Sequence, residues 1–399
     1  MDATPRTSSG NSTDESPQLQ SQHMNHHCVN VDAGKFNRTA EQSYTLPASW
    51  YTDPDIFELE KERIFYRHWW YAGAAADVER PGSYITVEVV DQAIFVIRGA
   101  DGALRGFYNV CSHRAHRLIN GAGEKDVIAC PYHGWTYENN GCFKGARGVD
   151  TLDGFDFQAA NLKPVKVDIL SGLVFVNLDL KAQPIAALCE SMTADMERHC
   201  PGLGRLVLAH RHEVETAANW KTLVDNNLES YHVAVAHPRL VDLLDYKSFA
   251  VWESDVTTSH AMTNSNPDNA AYRVGTNDPV KRALYTWLWP NTAFFIAPGR
   301  NNLAIFQMIP TGAETSLQRW DFYFEDSSPI ESERAYLDYT IETLIPEDNR
   351  LYESVQLGFH SRGYTQGRLV VNRDVPEWSE HHTHMFQKLV YESLNGANL

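Results

Sequence analysis

Long apolar runs are missing from this sequence. No stretch approaches the roughly 18 consecutive apolar residues that a membrane span requires. The first residues are rich in Ser, Gln, Asn and Asp, and they lack the apolar core of a secretory signal. These absences predict a soluble, cytoplasmic protein with no membrane partner.

Basic residues are also scarce. Lys and Arg number 34 against 51 Asp and Glu, which gives a formal net charge of −17. Affinity for nucleic acid comes mostly from basic side chains against phosphate, so the composition argues against a nucleic-acid partner. It is compatible with a small cationic substrate.

Cysteine is too sparse for a disulfide framework, with 6 residues in a chain of 399. Four cysteines have no ligand-like spacing and are interpreted as ordinary thiols: Cys28, Cys142, Cys189 and Cys200. A small group near the start could bind a stray metal, although an ordinary polar tail is the simpler interpretation: His23, His26, His27 and Cys28.

Changes in composition and apolar patterning along the chain predict two domains after a flexible extension over residues 1–43. Short β-like runs separated by turns indicate a compact β module at 65–180. Residues 44–64 and 181–399 would form the second domain. No flavin or nicotinamide fingerprint is found in the sequence.

Periodicity predicts the main elements within these domains. Strands are expected at Ser83–Val90, Ala93–Arg98, Leu104–Val110, Leu173–Asn177, His212–Glu215 and in the stretch Leu284–Phe324. Helices are expected at Ile56–Trp70, Trp220–Val235 and Glu331–Phe359. Ser332 is the expected N-cap of the last helix, and Pro346 should kink it.

Two short segments each pair a cysteine with a histidine. Cys111 and His113 form C-x-H, and after 16 residues Cys130 and His133 form C-x-x-H. Two thiolates and two imidazoles suit a [2Fe–2S] cluster with Cys on one iron and His on the other. Tetrahedral zinc is the alternative, but zinc fingers usually pair Cys with Cys and His with His along the chain.

A second candidate metal site follows in the second domain. His232 and His237 would lie about 140° apart on an ideal helix, so the helix must distort or end near Ala236 for both to reach one metal. Non-haem Fe(II) sites use two His and one carboxylate. Asp348 and the adjacent Glu347 are the candidates for the carboxylate.

Several segments together carry a family resemblance. Pro131, Gly134 and Trp135 around the second Cys/His pair match the Rieske loop, and Asp348 with Glu353 matches the Asp-x4-Glu pattern of Rieske oxygenases. The chain is similar to the choline, betaine and carnitine oxygenases in Asn219-Trp220-Lys221, Glu229-Ser230-Tyr231-His232, Trp287-Leu288-Trp289-Pro290 and Glu353-Ser354-Val355-Gln356. It most resembles carnitine monooxygenase in Ala313–Gln318, Ser361–Tyr364 and Ser379–His381.

This resemblance implies an α+β fold. A β-rich Rieske domain would accompany a helix-grip type catalytic domain, with an antiparallel sheet packed on a long C-terminal helix. Cys111 and Cys130 would bind one iron of the cluster, and His113 and His133 the other.

The resemblance also implies a catalytic centre and an electron path. His232, His237 and Asp348 would hold a mononuclear Fe(II). The active unit would be a homotrimer, in which Glu229 links His133 of one subunit to His232 of its neighbour. Most of the family has Asp at this position, and the longer Glu is associated with the quaternary ammonium branch.

The predicted activity is O2-dependent hydroxylation or N-demethylation of a quaternary ammonium compound, carnitine or else betaine, stachydrine or choline. A flavin- or ferredoxin-type NAD(P)H reductase would supply the electrons. Aromatic side chains would hold the cation, and Arg300 is one candidate for a substrate carboxylate. An oxygenase for aromatic rings or aryl ethers and a non-catalytic Rieske electron carrier are the alternatives.

Overall fold

Short antiparallel strands build the first half of the chain in a computed structural model that describes residues 31–396. They are β1 Trp70–Ala74, β2 Ser83–Val89, β3 Gln92–Arg98, β4 Leu104–Tyr108, β5 Ala122–Glu124, β6 Val127–Ala129, β7 Thr136–Glu138, β8 Phe143–Gly145, β9 Pro164–Leu170 and β10 Leu173–Asn177. One sheet has the order β1-β10-β9-β4-β3-β2-β5, and a small sheet has the order β6-β7-β8. The predicted strands in this region are confirmed to within a few residues at their ends.

A second large sheet occupies the later part of the chain. Its strands are β11 Val207–Thr216, β12 Leu244–Glu253, β13 Thr257–Asn264, β14 Arg282–Leu288, β15 Thr292–Ile296, β16 Asn302–Gly312 and β17 Thr315–Phe324. Every neighbouring pair in the order β11-β17-β16-β15-β14-β13-β12 is antiparallel. The strand predicted at 212–215 is part of the longer β11.

Both faces of this second sheet are covered. Successive residues of β14 point to opposite faces: Leu284 packs with Phe175 and Met196, whereas Ala283 packs in a separate cluster with Tyr339. Nine of the eleven residues of β16 are buried for the same reason.

Helices flank the sheets. They are α1 Pro54–Glu60, α2 Ile185–Leu188, α3 Glu190–His199, α4 Trp220–Asn227, α5 Val233–Ala236, α6 Pro238–Leu243, α7 Glu331–Tyr339, α8 Ile345–Phe359 and α9 His381–Leu394. Short 3₁₀ turns lie at Ala40–Gln42, Ala48–Tyr51, Ala75–Val78, Val149–Thr151, Leu203–Arg205 and Pro376–Trp378. None of the helices within residues 31–396 is long and apolar enough to cross a membrane.

The predicted long helix at 331–359 is present with a π-helical turn in its middle. Thr340–Leu344 forms that turn between α7 and α8. Pro346 is the second residue of α8, and a proline there removes one helical hydrogen bond and crowds the preceding turn, so a wider turn accommodates it. The prediction of Ser332 as N-cap is wrong, because the helix starts at Glu331 and the Ile330 N–H donates to Glu333 Oε2 at 2.8 Å.

Two sequence-based boundaries are corrected. The helix predicted at 56–70 ends with a π-helical turn at Lys61–Phe65, and Trp70 begins β1. Residues 31–43, assigned to the flexible extension, pack on α9: the Phe36 ring stacks on His384 at 5.4 Å, and His384 Nε2 bonds the Asn37 carbonyl at 2.7 Å. The histidine-rich group around Cys28 lies outside the described residues.

The α+β class is confirmed by these two sheets and their helices. The predicted division into 65–180 against 44–64 and 181–399 stays a prediction.

Candidate metal centres

Two loops of similar shape carry the Cys/His pairs. The first follows β4, and the second joins β6 to β7. In each loop the cysteine N–H bonds a carbonyl five residues ahead: Cys111 to His116 O at 2.9 Å, and Cys130 to Trp135 O at 2.8 Å. In each, the residue four positions after the cysteine has positive φ, 56° at Ala115 and 71° at Gly134. The two tight turns therefore present their side chains in comparable ways.

The cysteines and histidines of these loops occupy different environments. Cys111 and Cys130 are buried, whereas His113 and His133 are exposed, with ring centroids 4.6 Å apart. Burial raises the pKa of the Cys111 thiol, and the adjacent Cys130 raises it further. Tyr137 places its hydroxyl 3.2 Å from Cys111 Sγ. This is an arrangement with an inner thiolate pair and an outer imidazole pair.

The spacing of these four side chains favours a two-iron cluster over zinc. Tetrahedral zinc brings all its ligand atoms to within about 4 Å of one another. Among residues 31–396, the sets of three or more ligand atoms that lie within 4.8 Å of one another do not include these four. Two pairs spread over two irons fit this wider spacing, with the histidines on the outer iron.

The second candidate centre does form such a set, composed of His232, His237 and Asp348. Asp348 Oδ1 lies 3.0 Å from His237 Nε2 and 3.7 Å from His232 Nε2. Both imidazoles thus turn their Nε2 atoms toward one carboxylate. Two imidazole nitrogens and one carboxylate oxygen are the donor set of non-haem Fe(II) sites with open positions for O2 and substrate.

A further carboxylate contacts each histidine at its other nitrogen. Glu229 Oε1 is 2.5 Å from His232 Nδ1, and Glu347 Oε2 is 2.8 Å from His237 Nδ1. Such partners fix the tautomer and ring orientation of a metal-binding imidazole. Burial lowers the pKa of His237, but Asp348 and Glu347 outweigh it and the pKa is raised overall.

This geometry separates the two candidate carboxylates. Asp348 lies between the Nε2 atoms, where a metal would be, and Glu347 lies behind His237. The contact of Glu347 with His237 Nδ1 was not predicted from the sequence. There, Glu347 was only the alternative to Asp348 as the carboxylate ligand. Its position next to Asp348 was the available signal.

The single helix predicted at 220–235 is wrong. α4 ends at Asn227, α5 is a single turn, and α6 starts with Pro238 at its first position. Asn226 and Asn227 favour helix ends over interiors. In the break, Glu229 Oε2 accepts the His232 N–H at 3.0 Å. Glu229 and His232, three residues apart, therefore contact each other from outside a regular helix.

Buried polar contacts hold these segments in place. Lys221 of α4 pairs with Glu60 of α1, and both side chains are fully buried. Ser230 in the break donates to the Glu377 carbonyl at 2.9 Å. Asp348 and Glu347 lie in the first turn of α8. Packing between distant parts of the chain thus brings the three candidate ligands together.

Two adjoining cavities open beside this centre, and they share Leu240, Tyr285, Phe295 and Leu344. The first also includes Tyr246 and His260, and the second Trp320 and Tyr339. The hydroxyls of Tyr246 and Tyr339 are buried and have no hydrogen-bond partner among the described residues. Unpaired buried hydroxyls are costly, so both suit contact with a bound polar molecule.

Several other aromatic side chains after residue 230 do not line these two cavities. Trp287, Trp289, Phe294, Phe306 and Tyr323 are core residues, and Tyr231 is exposed. Arg300 does not line the two cavities, because it is held by Glu333 at 3.1 Å and by Glu325. Its suggested role toward a substrate carboxylate is therefore wrong, since two carboxylates already neutralise it.

Both candidate centres lie in segments that match protein-family models. Residues 68–156 match the Rieske [2Fe–2S] domain, and residues 203–396 match the catalytic domain of ring-hydroxylating alpha subunits. The chain belongs to the Rieske non-haem iron oxygenases, in the monooxygenase group. A [2Fe–2S] cluster and a mononuclear iron are the cofactors of this family, which works with a reductase partner. The match to a catalytic domain excludes the alternative of a non-catalytic electron carrier.

Individual relatives are more specific. The chain is 36% identical over 358 residues to the carnitine monooxygenase oxygenase subunit of Acinetobacter pittii, covering 89% of this chain and 96% of the relative. It is 30% identical over 341 residues to the chloroplastic choline monooxygenase of Beta vulgaris, covering 83% and 74%. A crystal structure of a quaternary ammonium Rieske monooxygenase with L-carnitine matches with a TM-score of 0.80 at 34% identity, covering 90% and 98%.

Proposed function

We propose that this chain is the oxygenase component of a two-component monooxygenase that oxidises a quaternary ammonium compound, with a carnitine-like substrate favoured. The observation that carries the proposal is the His232, His237 and Asp348 set beside cavities lined by Tyr246, Tyr285 and Phe295. It combines a donor set for iron with aromatic walls suited to a cation.

Each metal group would have its own set of ligands. Cys111 and Cys130 would hold the inner iron of the cluster, and the exposed His113 and His133 the outer one. His232, His237 and Asp348 would hold the mononuclear iron. When bound, these groups store and deliver the electrons that reduce O2 at the substrate.

Carboxylates would control the protons of the iron histidines. Glu347 would keep the proton of His237 on Nδ1, so that Nε2 stays free for the metal, and Glu229 would do the same for His232. Each carboxylate oxygen can accept more than one hydrogen bond. Glu229 can therefore also receive His133 of a neighbouring subunit, as expected in a homotrimer.

The cavity walls supply contacts for both ends of a carnitine-like molecule. A trimethylammonium group has no hydrogen to donate, and aromatic faces attract it through cation–π contact. Tyr285 and Phe295 are perpendicular, with ring centroids 4.9 Å apart, and could form two sides of such a cage. The Tyr246 hydroxyl could donate to the substrate carboxylate, and burial raises its pKa so that it keeps its proton.

The partner would be a flavin- or ferredoxin-type NAD(P)H reductase, with the oxygenase in the cytoplasm. Oxidation of an aromatic ring is the competing function, and the aromatic walls alone would also accept it. The unpaired Tyr246 hydroxyl and the acidic surroundings of His232 favour the cationic substrate.

Oxygen uptake with a compatible reductase tests this proposal. Carnitine, betaine, stachydrine and choline should be compared with naphthalene and an aryl ether. For carnitine, hydroxylation of the chain carbon beside nitrogen would release trimethylamine and leave an aldehyde, whereas hydroxylation of an N-methyl group would release formaldehyde. Uptake coupled only to the aromatic compounds would contradict the proposal.

Tyr246→Phe tests whether the substrate cation also carries a carboxylate that Tyr246 binds. Loss of a hydrogen bond to a charged group corresponds to about 1.5–3 kcal/mol, or a rise in KM for carnitine of roughly ten-fold or more. KM for choline, which has no carboxylate, should change much less. Equal changes for both substrates would show that Tyr246 does not contact the carboxylate.

A further inference from the structure

A second group of metal-binding side chains lies outside the centres described above. Glu253, the last residue of β12, meets His381 and His382 at the start of α9, and one ligand atom from each lies within 4.8 Å of the other two. The Nε2 atom of His382 is 3.9 Å from Glu253 Oε2, which is too far for a hydrogen bond. The fold thus brings three donors together without joining them directly.

His382 is the unusual member of this group. Its side chain is buried at 2% exposure, and its Nε2 atom has no hydrogen-bond partner among the described residues. A buried polar atom left unpaired costs about 1–3 kcal/mol. Burial lowers the pKa of His382 well below its usual value, so the ring is neutral, the form that binds metals.

His381 is oriented as metal-binding histidines usually are. Its Nδ1 atom is 2.8 Å from the hydroxyl of Ser379, which also accepts the Asn372 N–H at 3.0 Å. A proton on Nδ1 shared with this hydroxyl leaves Nε2 free as a ligand. The two rings lie 4.4 Å apart at an interplanar angle of 61°.

Glu253 gives this group an opening to solvent. Its side chain is 36% exposed, and its Oε1 atom is 3.3 Å from Arg373 Nη1. The Oε2 atom is the one on the side of His382. An ion can therefore enter past Glu253, and Arg373 is the cation that competes for this carboxylate.

We propose that Glu253, His381 and His382 form a second metal site, distinct from the His232 centre, that binds a divalent transition-metal ion, zinc above iron. Two imidazoles and one carboxylate with an open fourth position are a common zinc donor set, and such sites bind Zn²⁺ more tightly than Fe²⁺. The ion would join the end of β12 to the start of α9. It would pair the buried Nε2 atom of His382, which the protein itself leaves unpaired.

Zinc binding to the full-length, iron-loaded oxygenase tests the proposal. Equilibrium dialysis against micromolar zinc, with zinc and iron measured by mass spectrometry in the same sample, should give one zinc per chain without loss of iron. All proteins should carry His23→Ala, His26→Ala, His27→Ala and Cys28→Ser, which removes the other candidate zinc ligands near the start of the sequence.

Three substitutions complete the test. Glu253→Gln, at a partly exposed position, and His382→Ala should each weaken zinc binding more than about 100-fold, because a direct ligand is worth more than an outer one. His384→Ala is the matched control, a buried histidine of the same helix that bonds the Asn37 carbonyl; it should keep the zinc. Arg373→Gln should tighten binding roughly five-fold, the equivalent of one exposed ion pair.

The results that would overturn the proposal are equally specific. They are no bound zinc in the background protein, zinc gained only in proportion to iron lost, or zinc retained by both Glu253→Gln and His382→Ala. Iron content and turnover of these proteins report separately on the His232 centre, so failure of one assignment does not affect the other.

Discussion

The two metal centres of this oxygenase differ in how far apart their ligands lie in the sequence. The four cluster candidates come from two loops within 23 residues, and each loop makes its own backbone turn. The iron candidates include His237 and Asp348, which are 111 residues apart and meet where the residue before α6 contacts the first turn of α8. One centre is therefore a product of local loop geometry, and the other of the tertiary fold.

The centres also differ in what surrounds their histidines. His113 and His133 are exposed, and Arg114 Nη2 lies 2.9 Å from His133 Nε2. His232 and His237 are largely buried, and each contacts a carboxylate through Nδ1. An exposed pair suits electron transfer to another protein molecule, whereas a buried, carboxylate-held pair suits chemistry that must be shielded from water.

The largest effect is expected from replacing a cluster cysteine, which should remove one metal centre and leave the other intact. Cys111→Ser should remove the [2Fe–2S] cluster, with its brown colour, its Rieske paramagnetic signal and two of the three irons expected per chain. Turnover should be lost, while the iron at His232 remains. Cys142→Ser, which changes an exposed cysteine without ligand spacing, is the control. A Cys111→Ser protein that keeps colour and signal would rule out the cluster assignment.

The next effect concerns the link between the centres. Glu229→Ala is tested with iron in excess, because loss of the Nδ1 partner of His232 weakens metal affinity as at Glu347. It should then bind full metal and accept electrons from the reductase at a normal rate, because the cluster is reduced before the electron crosses. Re-oxidation of the cluster by substrate and O2 should become very slow. Glu229→Gln keeps the length without the charge and should be less affected, and Glu229→Asp, with a shorter arm, should remain active at a reduced rate.

Rapid mixing of reduced oxygenase with substrate and O2 measures this step. The contact of Glu229 with His232 in the same chain is one half of the proposed link. Normal re-oxidation in Glu229→Ala would show that the residue only supports His232 and that electrons cross elsewhere.

A smaller effect is expected behind the iron. Glu347→Gln removes the charge that orients His237, and loss of such outer partners typically weakens metal affinity 10- to 100-fold. Iron retention during dialysis against a chelator measures this change. Glu342→Gln, at an exposed position in the adjacent π-helical turn, is the matched control. Equal iron retention in both variants would show that Glu347 does not support iron binding.

The same contrast explains what the sequence could predict. The Cys/His loops were predictable because their spacing and turns are local. His232, His237 and Asp348 were found by residue type and family pattern, but the helix break at residues 228–232 was not. Periodicity does not report a break that depends on the contacts of Ser230 with Glu377 and of Glu229 with His232.

Other features depended on contacts that are distant in sequence. The position of Glu347 behind His237 joins residues 110 apart. The packing of Phe36 on His384 joins the start of the described chain to its last helix, so composition alone placed the folded boundary too late. Arg300 was chosen for its charge, and only the fold reveals the two glutamates that neutralise it.

Iron per chain in His232→Ala and Asp348→Ala, measured beside the unchanged protein, tests most directly whether the two centres are separate. Each variant should keep the full Rieske paramagnetic signal, lose one iron per chain and lose all turnover. Loss of the cluster signal together with the iron would contradict the separation of the two centres. Full iron and turnover in Asp348→Ala, with loss of both in Glu347→Ala, would show that the carboxylate ligand is Glu347.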